Sequence, residues 1–242
     1  MERTQTRPVT PRTAVVWAVL RPLVEGRAGL TVLDVGGGTG GFAVPLAEAG
    51  HRVTVVDASP DALAALTRRA ADAGVAERVT AVQGDGDRLA ELVPPASADL
   101  ILCHSLLEVV DEPAEVVAAL TATLRPGGAA SVLVANRAAA ALSRAMAGHL
   151  DVATTMLADP DGRTGPADKL RRRFDPAGAA ALLTAAGLTV EAIHGVRVLA
   201  DLLPGAVADA DPEALLAFEL AAADRSPFRD IATQLHLYAR RR

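Results

Sequence analysis

A run of glycines is the feature of this 242-residue chain whose residue types and spacing best suit chemistry. Residues 34–41 read Asp-Val-Gly-Gly-Gly-Thr-Gly-Gly and overlap the end of a β-branched segment, Thr31 to Val35. Glycines permit a tight turn and let backbone N–H groups approach a ligand, and the start of the next helix adds free N–H donors. Asp57 ends the next β-branched segment, where a carboxylate can hold both hydroxyls of a ribose. The pattern therefore predicts a site for a nucleoside-containing ligand.

The glycine run fits two ligand-binding patterns. Gly36, Gly38 and Gly41 match the G-x-G-x-x-G of dinucleotide-binding proteins. Residues 34–40 match D-x-G-x-G-x-G, which resembles motif I of the class I S-adenosylmethionine-dependent methyltransferases. Residues 124–128, Leu-Arg-Pro-Gly-Gly before a predicted strand, resemble a late motif of the same family, so the second pattern is favoured. A glycine-rich turn without a ligand is the remaining alternative.

Four further segments resemble, in order, those of the bacterial tRNA 5-carboxymethoxyuridine methyltransferases, which methylate the carboxylate of the uridine. They are Arg12 to Trp17, His104 to Pro113, Gly148 to Val152 and Gly195 to Val198. The resemblance covers most of the chain. It departs from the family before Arg12, where the segment is short, and at Arg171 to Arg173, where the family often has a lysine-rich loop.

The resemblance implies S-adenosyl-L-methionine as cofactor and S-adenosyl-L-homocysteine as product. Arg12 would hold the carboxylate of the methionine moiety, and Asp57 would hold the ribose. Gly86 and Asp87 would flank the adenine, and His104 would lie beside the cofactor. The cofactor-binding residues expected on this basis are Arg12, Asp34, Gly36, Gly37, Gly38, Gly40, Asp57, Gly86, Asp87 and His104.

The expected acceptor is a tRNA carboxylate, and a small-molecule metabolite or natural product is the alternative. A carboxylate with an ordinary pKa of about 4 is ionised at neutral pH and needs no general base. We therefore expect a positioning mechanism without an essential acid or base. An amine or phenol acceptor would need a base, for which His104 and Glu108 are the candidates. A dinucleotide-dependent oxidoreductase and a non-catalytic cofactor-binding protein are less favoured functions.

Several polar residues have one functional and one structural interpretation. Arg197 can bind a carboxylate through two N–H groups, or it is an exposed charge on a strand. Asn136 ends the fifth predicted strand, where it binds the acceptor or caps the next helix. Arg171 to Arg173 either follow phosphates or are simply solvated, and the second is favoured.

The elements around these residues predict an α/β, Rossmann-like, doubly wound fold. It has a mostly parallel seven-stranded sheet, helices on both faces and a helical insertion after strand five. The predicted strands are 31–35, 52–56, 79–82, 99–103, 129–135, 188–196 and 233–239, and the predicted helices are 11–24, 42–48, 59–74, 113–124, 176–186 and 212–223. Ligands bind such sheets beyond the carboxyl ends of the strands. We expect one domain over residues 1–242, with 1–27 as a helical cap and 136–174 as an insertion or lid.

Composition excludes other classes of protein. Hydrophobic residues make up 50% of the chain, so it can bury a large core, but aromatic residues make up only 2%. The net charge of −5 argues against a generally cationic nucleic-acid binder, although residues 1–27 and 137–174 each have a net charge of +3. Cys103 is the single cysteine, which excludes a disulfide framework and suits a reducing compartment, so a cytoplasmic location is expected. No metal site and no membrane span are expected.

Overall fold

The structure is a computed structural model, and it describes residues 10–27 and 29–242. Residues 1–9 of the predicted cap lie outside the described part. The strands are β1 (Thr31–Val35), β2 (Arg52–Asp57), β3 (Val79–Gln83), β4 (Ala98–His104), β5 (Leu124–Ala135), β6 (Leu188–Val196) and β7 (Gln234–Arg241). The helices are α1 (Ala14–Val24), α2 (Ala43–Glu48), α3 (Pro60–Asp72), α4 (Leu89–Leu92), α5 (Pro113–Thr123), α6 (Arg137–Met146), α7 (Leu150–Ala158), α8 (Pro176–Ala185), α9 (Gly205–Ala210), α10 (Pro212–Ala222) and α11 (Phe228–Ile231).

The strands form one seven-stranded sheet in the order β3-β2-β1-β4-β5-β7-β6. The pairs from β3 to β5 are parallel, and β7 is antiparallel to both of its neighbours. The strand order reverses between β1 and β4, so the loops after these two strands diverge and leave a crevice at their carboxyl ends. The predicted doubly wound, mostly parallel sheet is confirmed.

Each face of the sheet buries its own hydrophobic cluster, because side chains alternate along a strand. On one face, residues such as Val32, Leu100 and Leu102 pack against α1, α2 and α3. On the other face, Leu33 and Ile101 and their neighbours pack against α4, α5 and α8. Small aliphatic residues fill both layers, as the low aromatic content requires. Helices on both faces are thus confirmed.

Most element boundaries agree with the sequence to within about two residues. Ser59 caps α3 as predicted, because its Oγ accepts a hydrogen bond from the N–H of Ala62 at 3.2 Å. β5 begins at Leu124 rather than at residue 129, because Leu124 pairs with Ala98 before a register shift in β4. The short helices α4, α9 and α11 were not predicted; each is only four to six residues long.

The segment after β5 is largely helical, as predicted. Helices α6 and α7 pack against each other, and residues 159–174 then form a loop that returns to the sheet. An isolated parallel bridge between Asn136 and Phe174 closes this insertion at its base. Within residues 10–27 and 29–242, no helix combines the length and the apolarity needed to cross a bilayer.

Candidate functional site

The glycine loop lies between β1 and α2, at the crevice. Gly36, Gly38 and Gly40 have φ angles of +74°, +54° and +78°, which residues with a Cβ rarely adopt. The Gly36 N–H donates to the carbonyl of Val56 at 2.8 Å, which holds the loop against β2. At Gly37 a Cβ would lie 2.5 Å from the carboxyl of Asp34. The loop therefore requires glycine both for its conformation and for its close packing.

Asp57 connects the glycine loop to the end of β2. Its Oδ2 accepts a hydrogen bond from the N–H of Gly38, and its Oδ1 accepts one from the N–H of Ser59, each at 2.9 Å. The carboxylate is half-buried, and its remaining lone pairs are available to further donors. Asp57 is thus held in place as an acceptor at the rim of the crevice.

A cleft of about 270 Å³ opens beside the loop, and we call it the glycine-loop cleft. It is lined by Gly36, Val56, Asp57, Ala58, Gly84, Asp85, Gly86, Asp87, Leu106, Val109, Val110 and Asp111. Four of the predicted cofactor-binding residues, Gly36, Asp57, Gly86 and Asp87, therefore lie together.

Asp34 lies beneath the glycine loop rather than in the glycine-loop cleft. It is 2% exposed. Burial, with a smaller contribution from the negative charge of Asp57, raises the pKa of Asp34 to about 7. The Asp34 carboxyl therefore supports the loop from below, directly under Gly37.

A second cleft of about 450 Å³ opens at the same edge of the sheet, and we call it the Glu108 cleft. It is lined by Glu108, Ala135, Asn136, Ala139, Ala140, Leu142, Ser143, Leu170, Arg173, Arg197, Asp201, Leu202, Ile231, Thr233 and Gln234. The insertion supplies one wall of it, through α6 and the loop that follows α7. The two predicted acceptor-binding residues, Asn136 and Arg197, both line this cleft.

Two arginines share one carboxylate at the mouth of the Glu108 cleft. Asp201 Oδ2 lies 3.0 Å from Nε of Arg197, and Asp201 Oδ1 lies 3.2 Å from an Nη of Arg12. Arg197 has a φ of +60°, a strained conformation for an arginine, and such strain is concentrated at functional sites. The shared pairing leaves one positive charge in excess, next to the cleft. Arg12 therefore lies beside Arg197, and it does not line the glycine-loop cleft.

Glu108 is buried in the wall of the Glu108 cleft, with 3% of its surface exposed. Its Oε2 has no hydrogen-bond partner. Burial raises the pKa of Glu108 to about 7, although the N–H groups of Glu108 and Ala135, the Ser105 hydroxyl and the Arg173 charge all lower it. The carboxyl is therefore partly in its neutral acid form at neutral pH.

His104 ends β4 and belongs to a buried hydrogen-bonded chain. Its Nε2 lies 2.9 Å from Oγ of Ser131, which lies 2.7 Å from Nε2 of His236. The hydroxyl has one proton and two lone pairs, so it either donates to one imidazole and accepts from the other or accepts from both. Burial lowers the pKa of His104 to about 4, so the ring is neutral at pH 7. The ring of Phe42 packs edge-on against His104, with the centroids 4.7 Å apart, and neither cleft is lined by His104.

The arginine run of the insertion makes hydrogen bonds and ion pairs within the chain, although the Arg171 side chain is also exposed. The Arg172 guanidinium donates to the carbonyls of Leu107 and Asp111, at 3.0 and 2.8 Å, and also to that of Val110. Arg173 is an ion pair with Asp168 at 2.7 Å, and Arg171 pairs with Asp111. Arg171 and Arg172 attach the insertion to the loop after β4, whose unpaired carbonyls need donors, whereas Arg173 is paired within the insertion.

Asn136 caps a helix. Its Oδ1 accepts a hydrogen bond from the N–H of Ala138, the second residue of α6. Both Nδ2 hydrogens are used as well, by the carbonyls of Asp230 at 2.9 Å and Ala232 at 2.8 Å. The capping interpretation is therefore favoured over acceptor binding, since no N–H of Asn136 is left to donate.

Sequence reasoning missed Leu106 and Asp201. The Leu106 side chain lies between Gly36 of the glycine loop and Gly86. A Cβ on Gly36 would lie 3.4 Å from it, and a Cβ on Gly86 would lie 3.1 Å from it. Asp201 follows β6 in a turn that matches no motif. A lone leucine or aspartate in a loop has no sequence signal, and only the folded chain shows what these residues contact.

Comparison with known proteins agrees with the geometry of the crevice. Residues 32–128 match the family described as a methyltransferase domain. The chain is 33% identical to the tRNA 5-carboxymethoxyuridine methyltransferase of Escherichia coli K12 over 234 residues. This alignment covers 95% of this chain and 88% of that protein. The chain belongs to the S-adenosylmethionine-dependent methyltransferases. The alternative of a dinucleotide-dependent oxidoreductase is thereby set aside.

Other relatives of this methyltransferase act on different acceptors by name. The ubiquinone biosynthesis O-methyltransferase of Xylella fastidiosa is 36% identical over 172 residues, which is 70% of this chain and 65% of that protein. The crystal structure of an S-adenosylmethionine-dependent methyltransferase from Mesorhizobium loti superimposes with a TM-score of 0.63, at 23% identity, over 94% of this chain and 98% of that one. The fold is therefore shared, and the two curated relatives are named for different acceptors.

The residues of the crevice fit S-adenosylmethionine. The Asp57 carboxylate is an acceptor suited to ribose hydroxyls, and the glycine loop leaves room for a close approach that any Cβ at Gly37 would disturb. Among residues 10–27 and 29–242, no three His, Cys, Asp or Glu side chains are grouped so as to hold a metal ion. The fit of Asp57 and the glycine loop, together with the family to which the chain belongs, makes S-adenosylmethionine the cofactor of this methyltransferase.

Proposed function

We propose that this enzyme transfers a methyl group to the carboxylate of 5-carboxymethoxyuridine in tRNA. The observation that carries the proposal is the Glu108 cleft, which adjoins a shared Arg12–Asp201–Arg197 network with an excess positive charge. Similarity to the Escherichia coli tRNA enzyme along 95% of the chain supports the same acceptor. The excess positive charge would stabilise an anionic acceptor group such as a carboxylate.

The proposed roles divide between the two clefts. In the glycine-loop cleft, Asp57 accepts hydrogen bonds from the ribose, and Gly86 and Asp87 flank the adenine. The glycines 36, 37, 38 and 40 approach the ligand through their backbone, with Asp34 supporting them from below. Arg12 pairs with Asp201 beside the Glu108 cleft, so in this proposal it serves the acceptor side and not the methionine carboxylate that was predicted for it.

The chemistry requires positioning rather than proton transfer. When bound, the cofactor supplies a methyl group that its sulfonium already activates. An ionised carboxylate is a sufficient nucleophile, since its ordinary pKa is about 4. The chain orients the acceptor and excludes water, and such positioning can lower a barrier by about 7–11 kcal/mol in favourable cases. His104 is neutral and lines neither cleft, so no proton transfer is assigned to it.

The parts outside the sheet complete the clefts in this proposal. We assign residues 1–27 as a helical cap and 136–174 as an insertion that closes the acceptor side, within one domain of residues 1–242. The loop after α7 is attached to the loop after β4 by Arg172, so it is a wall of the Glu108 cleft even without ligand. A tRNA acceptor would place the enzyme in the cytoplasm.

A small-molecule acceptor is the second candidate function. The similarity to ubiquinone biosynthesis O-methyltransferases and the net charge of −5 favour it over RNA. A phenolic acceptor would need a base, and ionised Glu108 in the cleft wall would be that base.

Transfer of labelled methyl groups distinguishes the two functions. Purified enzyme is incubated with labelled S-adenosylmethionine and one of three acceptors: tRNA containing 5-carboxymethoxyuridine, the same tRNA with unmodified uridine, and a catechol. We expect label only in the first. Label in the catechol, with none in either tRNA, would overturn the proposed acceptor.

A further inference from the structure

Glu108 is the one carboxyl in the wall of its cleft that has no cationic partner. Arg173 is paired with Asp168 at 2.7 Å, and Arg197 is paired with Asp201 at 3.0 Å. The N–H groups of Arg171 and Arg172 donate to the backbone carbonyl of Glu108 and not to its side chain. Glu108 is thus fixed in position while its Oε2 has no hydrogen-bond partner, which is costly for an ionised carboxylate.

The charged and polar groups around Glu108 come from several parts of the chain. The insertion contributes the Arg173–Asp168 pair, which is neutral as a whole. The segment after β6 contributes Arg197 and Asp201, with Arg12 added from before α1, so this group has a net charge of +1. The loop after β4 and the end of β5 contribute only the uncharged Ser105 hydroxyl and the Ala135 N–H.

This charge arrangement suits one acceptor carboxylate if Glu108 is neutral. The excess positive charge then matches the single negative charge of the acceptor. If Glu108 is ionised, the cleft has no excess positive charge, and two carboxylates at close range repel each other. A neutral Glu108 also has an O–H to donate, and the acceptor carboxylate would satisfy it.

We propose that Glu108 acts as a neutral acid that selects an anionic acceptor, by donating its proton in a hydrogen bond to the acceptor carboxylate. The choice of a carboxylate rests on the proposed function. Protonation of Glu108 is then linked to acceptor binding, so an enzyme with ionised Glu108 takes up one proton from solvent as the acceptor binds. Because burial raises the pKa of Glu108 to about 7, this linkage falls in an accessible pH range. Glu108 is then a hydrogen-bond donor in the ground state and not a general base.

Calorimetric titration tests the linkage without requiring turnover. The enzyme saturated with S-adenosylhomocysteine is titrated with the nucleoside 5-carboxymethoxyuridine between pH 6 and pH 9, in buffers of different ionisation enthalpy. We expect uptake of nearly one proton at pH 9 and a dissociation constant about ninetyfold larger at pH 9 than at pH 6, as one group with a pKa of about 7 requires. Glu108→Gln, which keeps a donor but cannot ionise, should show no uptake and a constant affinity.

A control and a second probe separate this inference from the proposed function. Glu112→Gln, a change at an exposed glutamate on the same loop, should retain the uptake of the unmodified enzyme. Phenoxyacetate has the same oxygen-methylene-carboxylate group without the nucleoside. Binding of phenoxyacetate with proton uptake would support the role of Glu108 even if the nucleoside did not bind and the proposed acceptor were abandoned.

Three results would overturn the role of Glu108. The first is carboxylate binding without proton uptake at pH 9, and the second is equal uptake by Glu108→Gln. The third is binding of neither carboxylate probe. Methyl transfer to a phenol that becomes faster as pH rises, and that Glu108→Gln abolishes, would instead assign Glu108 as a base.

Discussion

Gly37→Ala is the substitution whose effect the structure predicts most directly. The added Cβ would lie 2.5 Å from both Cγ and Oδ2 of Asp34 and 2.9 Å from Oδ1. Ordinary contacts between carbon atoms are about 3.5–4.0 Å, so the loop or the carboxyl must move by roughly 1 Å. Asp34 is 2% exposed and has no free space to enter. Overpacking of this kind lowers the free energy of unfolding by about 1–3 kcal/mol, or the Tm by roughly 2–12 °C.

The same displacement should weaken cofactor binding, because it moves the backbone that faces the ligand. We expect the affinity for S-adenosylhomocysteine to fall at least about tenfold, or about 1.4 kcal/mol, in a calorimetric titration. Gly41→Ala is the matched control, since a Cβ there meets nothing within 4 Å and its φ is not left-handed. It should change neither quantity.

A double substitution tests the cause. Asp34→Ala removes the carboxyl atoms that the methyl group of Gly37→Ala would clash with. The double variant should therefore lose less free energy of unfolding than the sum of the two single variants, by about 1 kcal/mol or more. Chemical denaturation of the four variants measures this coupling. Equal stability and affinity for Gly37→Ala and Gly41→Ala would refute the steric reasoning.

Three further predictions concern the buried groups around the site. The pKa of Asp34 is 3.8 when unfolded and about 7 when folded, so Asp34 should lower the free energy of unfolding by about 4 kcal/mol as pH rises through this interval. Asp34→Asn should remove this contribution and leave that of Glu108, whose pKa is also raised, whereas exposed Asp61→Asn should leave the pH dependence unchanged, as measured by denaturation at each pH. Ser131→Ala leaves two buried imidazoles without their shared partner and should lower the free energy of unfolding by about 1–3 kcal/mol, and an unchanged Tm would contradict the hydrogen-bonded chain. Arg172→Gln leaves only two side-chain N–H donors for three carbonyls, so amides of the loop after α7 should exchange hydrogen faster while those of α3 (Pro60–Asp72) do not.

The sheet and the glycine loop could be predicted because their signals are local. A β-branched run, a glycine turn and a capped helix follow one another in the sequence, and each requires the conformation that it adopts. The predicted cap of α3 at Ser59 and the acid at Asp57 have this property, and the structure places both as expected. Parallel strands then bring their carboxyl ends together, which gathers Gly36, Asp57 and Gly86 at one cleft.

The acceptor side could not be predicted to the same depth, because its contacts join distant segments. Nothing near Arg172 in sequence indicates that the carbonyls of residues 107–111 would be its partners. Asp201 likewise acquires its role only when β6 brings Arg197 next to the start of α1. Asn136 could be placed at a strand end from sequence, but the choice between a cap and a ligand depended on three partners elsewhere in the fold.

The chemical stability of the transferred methyl group tests the central claim most directly. tRNA containing 5-carboxymethoxyuridine is methylated with labelled S-adenosylmethionine and then treated with mild alkali. A methyl ester hydrolyses, so a carboxylate acceptor predicts that the label leaves as methanol and that the original nucleoside is recovered. A label that survives alkali, as an ether or a ring-bound methyl group would, contradicts methylation of a carboxylate by this enzyme.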